Sequence, residues 1–319
     1  MNHSTPPTSV TVPEDRSRLI TLRSTGCRID AKLLIEPLRR DCPILVQNIA
    51  PEMADVVLRD VAEGVGLLER LQFHAEFATS LGRRRVGKYG MSVNKRGEYQ
   101  LIPPHAEGDS LINVQLASFY CLENSTDGGE TILMNVDDSS DVWNLLKEKI
   151  ARIAPGSKSL TPGELMRATG LYRLHSPPYL SPGERIIRER SSEIQGLKLV
   201  DVLANPRRSY SSILGRDLYG YWSSIANVDF DSLHSYASLL KGCNLLKEPE
   251  GGLELCRMDS VAEDRVWSSG VDYSKLFRCK ITHKLTSGDL IILNNLTWVH
   301  SASNWSPGSG VRSVAAAFA

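Results

Sequence analysis

No uninterrupted apolar run in this 319-residue chain approaches the roughly 20 residues that a membrane-spanning helix needs. Residues 1–18, MNHSTPPTSVTVPEDRSR, lack the apolar centre of a secretory signal and read as a polar tail. Charge of one sign is not in excess either. Lys+Arg and Asp+Glu both number 37, and the missing basic surplus argues against a general nucleic-acid binder. No CxxC pair occurs among Cys27, Cys42, Cys121, Cys243, Cys256 and Cys279. A chain of this length needs no disulfide staples, so these are expected to be reduced thiols in a cytoplasmic protein. No internal repeat is visible. What remains is a globular chain expected to bind no nucleic acid and no membrane, and the charge balance says little about small-molecule substrates.

Hydrophobic periodicity predicts the elements. Over 52–80 apolar residues recur at helical spacing, and Gly64 and Gly66 divide the stretch into two helices. Residues 82–98 read as a loop or ragged hairpin carrying Arg83, Arg84, Arg85, Lys88, Lys95 and Arg96, either a solvated surface or an anion contact at a site mouth. The run Leu111–Leu122 is rich in apolar, aromatic and β-branched residues and reads as a buried strand. A turn follows over 124–129, then a strand over 131–136. Residues 137–140 are expected to cap a helix over 141–153. Strands are expected over 277–285, 290–293 and 311–318, and a helical patch near 230–241. Residues 155–270, with frequent proline and glycine, read as core strands interleaved with a long lid-like insertion over the substrate. The expected architecture is a single domain over 19–319, mainly β with flanking helices. Short strands, turn punctuation and a helical N-terminal layer point to a double-stranded β-helix, or jelly roll.

Two distant segments carry chemistry. Pro103-Pro104-His105-Ala106-Glu107-Gly108 offers an imidazole and a carboxylate two residues apart, and on a strand such residues face the same way. Gly288-Asp289-Leu290-Ile291-Ile292-Leu293-Asn294-Asn295 runs on to Trp298-Val299-His300 and offers a second imidazole. Two histidines and one carboxylate on one face of an ion form the facial triad of non-haem Fe(II) oxygenases. Between them lies Asp127-Gly128-Gly129-Glu130-Thr131, and after His300 comes Gly310-Val311-Arg312-Ser313.

The order HxE, GGxT, late His and then Arg resembles the Fe(II)/2-oxoglutarate-dependent oxygenases of the taurine dioxygenase and clavaminate synthase-like group. The resemblance covers about residues 99–136 and 286–318. It implies iron ligation by His105, Glu107 and His300. It also implies that Thr131 and Arg312 hold the distal carboxylate of 2-oxoglutarate, with O2 as the second co-substrate. Glu107 stands where many members carry Asp, as in the subset that oxidises amino acids and amino-acid-derived intermediates. Relatives that halogenate lack the carboxylate, so Glu107 makes hydroxylation the default, with desaturation and ring closure as alternatives. Asn294-Asn295-Leu296 stands where many members read Asp-Asn-Arg, and Asn295 is either a turn residue or an orienting group behind the ligands.

His74-Ala75-Glu76 repeats the HxE pattern, but on a helix the two side chains lie roughly 200° apart around the axis. His175, His234 and His283 have no ligand-like neighbours in sequence, and Trp298 and Trp305 are expected mainly in the core. Two other classes fit the composition. One is a metal-free jelly-roll binding protein, separated by iron stoichiometry. The other is a hydrolase or isomerase using the triad with another metal, separated by dependence on 2-oxoglutarate.

Overall fold

The computed structural model describes residues 12–25, 29–80, 82–93, 99, 101–108, 113–144, 148–204, 208–220, 231–253 and 273–319. Cys27, Lys95, Arg96, Leu111, Leu145, Leu146 and Cys256 lie outside them. In chain order the first half runs β1 (Ile20–Arg23), α1 (Lys32–Arg39), β2 (Ile44–Gln47), α2 (Pro51–Gly64), α3 (Leu68–Ser80), β3 (Arg85–Val86), β4 (Gly90–Ser92), β5 (Leu116–Asn124) and β6 (Thr131–Val136). Then come β7 (Glu148–Ile153), α4 (Pro162–Tyr172), β8 (Leu174–Tyr179), β9 (Arg185–Arg190), β10 (Leu199–Ala204), β11 (Arg208–Ser211), β12 (Arg216–Tyr219) and α5 (Asp231–Gly242). The chain closes with β13 (Phe277–His283), β14 (Leu290–Asn294), β15 (Trp298–Ala302) and β16 (Arg312–Phe318).

A seven-stranded sheet has the order β1-β2-β14-β5-β16-β4-β3, and a three-stranded sheet the order β13-β6-β15. Strand alternation sorts the large sheet's side chains into two cores. Leu116 and Tyr120 of β5, Leu290 and Ile292 of β14, and Ile44 and Val46 of β2 pack with Leu34, Leu58, Val61 and Leu71 of the helices. The intervening residues Ala117, Phe119, Cys121, Ile291, Leu293, Ala316 and Phe318 pack with Leu133, Ile281 and Trp298 of the small sheet. The period of two thus gives one face to helices and the other to the second sheet. The outer face of the small sheet, through Ile132, Met134 and Val299, packs on Tyr236 and Leu240 of α5. The expected mainly β architecture with flanking helices is present, including the two helices split near Gly64.

Three expectations need correction. Residues 141–153 are not a helix: a short 3-10 turn, Asp141–Asn144, leads into β7, which pairs with β10 from Glu148 to Ile153. Ile150 and Ile153, three apart, read as one helix face. In the strand Ile150 joins Val200 and Val202, whereas Ile153 joins Leu197, Leu199 and Ala168 of α4. Residues 12–18, expected as the end of a polar tail, pack on the small sheet. Val12 is buried, Asp15 N donates to Lys280 O at 3.0 Å, and Lys280 N donates to Pro13 O at 2.9 Å.

The third concerns residues 155–270, whose described strands do not interleave with the two main sheets. β8, β9 and β10 join β7 in a four-stranded sheet, β8-β7-β10-β9, and β11 and β12 form a two-stranded one. The former has two clusters of its own, one of them under α4, and a buried ion pair, Arg152 Nη2 to Glu184 Oε1 at 2.9 Å. Among the described residues no helix is long and apolar enough to cross a membrane, and Cys42, Cys121, Cys243 and Cys279 are free thiols.

Candidate metal centre and cavity

His300 sits mid-strand in β15, opposite Leu133 of β6. Its neighbour Val299 faces the α5 core, so the imidazole faces the large sheet. Its ring lies 4.6 Å from that of Phe119. His105 is not on a regular strand. A single antiparallel bridge holds it: His105 N donates to His300 O at 3.0 Å, and His300 N to His105 O at 2.8 Å. Opposite residues of a bridge share a face, so the two rings meet, with centroids 4.5 Å apart. Glu107 Oε1 lies 3.6 Å from His105 Nε2 and 3.5 Å from His300 Nε2. The ligand atoms of His105, Glu107 and His300 all fall within 4.8 Å of one another, and no other such cluster occurs among the described residues.

Glu107 lies beyond the bridge and is fixed through its backbone. The buried Asn295 side chain accepts from Glu107 N at 2.9 Å, and its amide donates to Glu107 O at 2.9 Å and Val114 O at 2.8 Å. Of the two readings open for Asn295, the orienting one has this geometry behind it. Asn295→Ala is expected to weaken metal binding about tenfold to a hundredfold, as loss of groups that orient ligands does. Metal titration of the folded variant measures this, and unchanged affinity would make Asn295 a turn residue only.

The donor set suits a divalent ion. The His105 Nδ1–H donates to Pro103 O at 3.0 Å, which leaves Nε2 as the electron-pair donor. Burial, with the neighbouring His105 charge, pushes His300 down to about 4, so its imidazole is neutral near pH 7. Burial alone would raise the Glu107 carboxyl, but its hydrogen bonds with His105 and His300 hold it far below the usual carboxylate range. Two imidazoles and one carboxylate are the ligand types that Fe(II) takes, each in its deprotonated form.

A cavity of about 190 Å³ opens beside these groups, and Thr131 and Arg312 also line it. Thr131, the first residue of β6, faces the same side as His300, since Ala302 is its partner. Its hydroxyl is buried and has no hydrogen-bond partner among the described residues. Arg312 opens β16 opposite Asn124, and its Nε donates to Gly129 O at 3.2 Å. The two glycines before Thr131 have separate reasons. A Cβ on Gly128 would lie 2.0 Å from Asn304 O; one on Gly129, where φ is +72°, would lie 2.8 Å from Arg312 Cδ.

The five residues singled out in the sequence therefore line one cavity. The second HxE does not join it: His74 is half-buried on α3 against Phe73, and Glu76 is exposed. Trp298 is a core residue, fully buried with Arg18 over its ring at 5.3 Å. His283 stands 3.7 Å from Asp289. The side chains of His175 and His234 lie outside the description. Sequence reasoning missed the cavity walls Val93, Ile102, Phe119 and Phe318.

No protein-family model matches the chain, and no curated protein is similar to it in sequence. Solved structures are similar to it. The non-heme iron oxygenase OrfP in complex with Fe is 14% identical, covering 90% of this chain and 78% of that one at a TM-score of 0.43. The PvcB protein from Pseudomonas aeruginosa is 13% identical, covering 100% and 94% at 0.43. A taurine dioxygenase from Burkholderia xenovorans is 10% identical, covering 97% and 88% at 0.40.

Proposed function

We propose that the chain is an Fe(II)- and 2-oxoglutarate-dependent dioxygenase built on a jelly-roll core. It hydroxylates an unactivated C–H bond of a small molecule, an amino acid or a natural-product intermediate. The observation that carries the reading is the meeting of His105 Nε2, His300 Nε2 and Glu107 Oε1 in one cavity with the unpartnered Thr131 hydroxyl and Arg312. When bound, iron and 2-oxoglutarate supply oxidative decarboxylation to succinate and carbon dioxide, coupled to oxidation of the substrate.

The chain's own residues have distinct tasks. His105, Glu107 and His300 would hold the metal, and three protein ligands leave positions for co-substrate and O2. Arg312 would pair the distal carboxylate of 2-oxoglutarate, a task that suits a planar, permanently charged guanidinium. Thr131 would donate its hydroxyl to the same carboxylate, which supplies the partner that the buried oxygen lacks. Phe119, packed on the His300 ring, keeps one side of the metal ligands dry. Glu107 occupies the position that halogenating relatives leave open, so hydroxylation is preferred over halogenation.

The test is anaerobic. The folded protein with one Fe(II) and added 2-oxoglutarate should develop the weak visible charge-transfer band of that chelate. Admission of O2 should then release succinate. A folded, iron-loaded sample that gives no band and no succinate rejects the reading. Metal binding without any response to 2-oxoglutarate would favour a hydrolase or isomerase instead.

A further inference from the structure

One charged group in the cavity has no task in the reaction as proposed. Arg83 lines the same cavity as His105, Glu107, Thr131 and Arg312. Its backbone is fixed, not free to swing. Arg83 N donates to Ala78 O at the end of α3, and Arg84 and Ser92 exchange hydrogen bonds across the β3–β4 hairpin. The turn of that hairpin rests on α2, where Asp55 accepts from Lys88 N at 2.6 Å and Tyr89 N at 3.1 Å. The guanidinium, by contrast, has no carboxylate beside it among the described residues. Among the described residues its side-chain partner is Met91 Sδ, at 3.7 Å. A half-buried guanidinium on a braced hairpin, paired among the described residues with a thioether, is an anion site in search of its anion.

The charges lining the cavity say which anion is missing. With iron(II) in place, the metal, Arg83 and Arg312 outweigh Glu107 by three positive charges. The 2-oxoglutarate dianion offsets two of them, leaving one. The rest of the wall is mainly apolar, with Val93, Ile102, Phe119, Val314 and Phe318, and the Ser301 hydroxyl there is taken up by Ile102 O. Resting on the dioxygenase reading, we infer that Arg83 determines specificity by pairing a carboxylate of the primary substrate. The substrate class is then a small monoanionic carboxylate with an apolar body, its oxidised carbon held off the hairpin and toward the metal ligands.

The test uses straight-chain probes on the full-length protein, loaded anaerobically with Fe(II) and saturating 2-oxoglutarate. Butyrate, hexanoate and octanoate are compared with butyramide, hexanamide and octanamide by calorimetry. A charge-assisted pair predicts that at least one acid binds about tenfold to a hundredfold tighter than its amide. Arg83→Gln should collapse that ratio to within about threefold, and Arg83→Lys should retain part of it. Affinity for 2-oxoglutarate, read from the visible band, should stay within about threefold in Arg83→Gln.

No preference for any acid in the unaltered protein overturns the inference, as does a preference that survives Arg83→Gln. If Arg83→Gln weakens 2-oxoglutarate about tenfold or more, the guanidinium serves the co-substrate and the inference also fails. Failure of the dioxygenase reading is told apart by its own signal, the absent iron–2-oxoglutarate band in the unaltered protein. Near-ultraviolet circular dichroism checks that the variants are folded.

Discussion

His105→Ala is expected to abolish both iron binding and turnover, while His74→Ala leaves both nearly intact. The two histidines head the same tripeptide pattern, and only the backbone separates them. His105 sits on the bridge to His300, which brings two imidazoles and Glu107 within ligand distance of a single ion. His74 sits on a helix, and Glu76 projects away from it into solvent. Loss of one ligand of three removes the chelate, whereas His74→Ala loses packing against Phe73, at a typical cost of about 1 kcal/mol of stability. Iron titration of the two folded variants measures this. Retention of metal in His105→Ala with loss in His74→Ala would overturn the site.

Arg312→Ala should weaken 2-oxoglutarate far more than it weakens iron. Truncating one partner of a buried charge-assisted pair costs on the order of 2–5 kcal/mol, at least about thirtyfold in affinity, partly because the other charge is left unpaired. The metal ligands come from other elements and should be spared. The Arg312 side chain is steered by the glycine before Glu130, whose carbonyl it meets at 3.2 Å and whose missing Cβ leaves room for Cδ. Titration of the visible band against 2-oxoglutarate gives the affinity. A change within about threefold would show that another group anchors the co-substrate.

The site was more legible in the sequence than the scaffold around it. His105 and Glu107 could be paired because two-residue spacing has one meaning on extended chain, even though only a single bridge, not a strand, is present. Thr131 and Arg312 were legible through the short motifs around them. The wall residues were not, since an apolar residue in a buried strand says nothing about whether it faces core or cavity. Phe119 and Ile291 are opposite each other in register, yet only Phe119 lines the cavity.

Beyond the site, Ile150 and Ile153 were misread because three-residue spacing fits a helix face as well as opposite faces of an irregular sheet. α4 was overlooked although its signal was present: Thr161 and Glu164 form a reciprocal capping box with Pro162 in the first turn. Burial of Val12 among α5 and the small sheet depends on distant partners, which no local pattern reveals.

The paired hydrogen bonds between His105 and His300 tie the chemistry to the topology of the chain. The two imidazoles belong to segments separated by more than half its length, so the full ligand set exists only after that long loop has closed. The entropy of closure grows slowly with loop length, but such contacts are the slow ones to form. A chain with the loop still open holds only His105 and Glu107, so an ion that needs three ligands favours the closed state, and its binding energy adds to the native state's stability. On the proposed reading iron would be retained only where the walls that shelter it from water are already assembled, and a nascent or half-unfolded chain would carry no redox-active centre to expose.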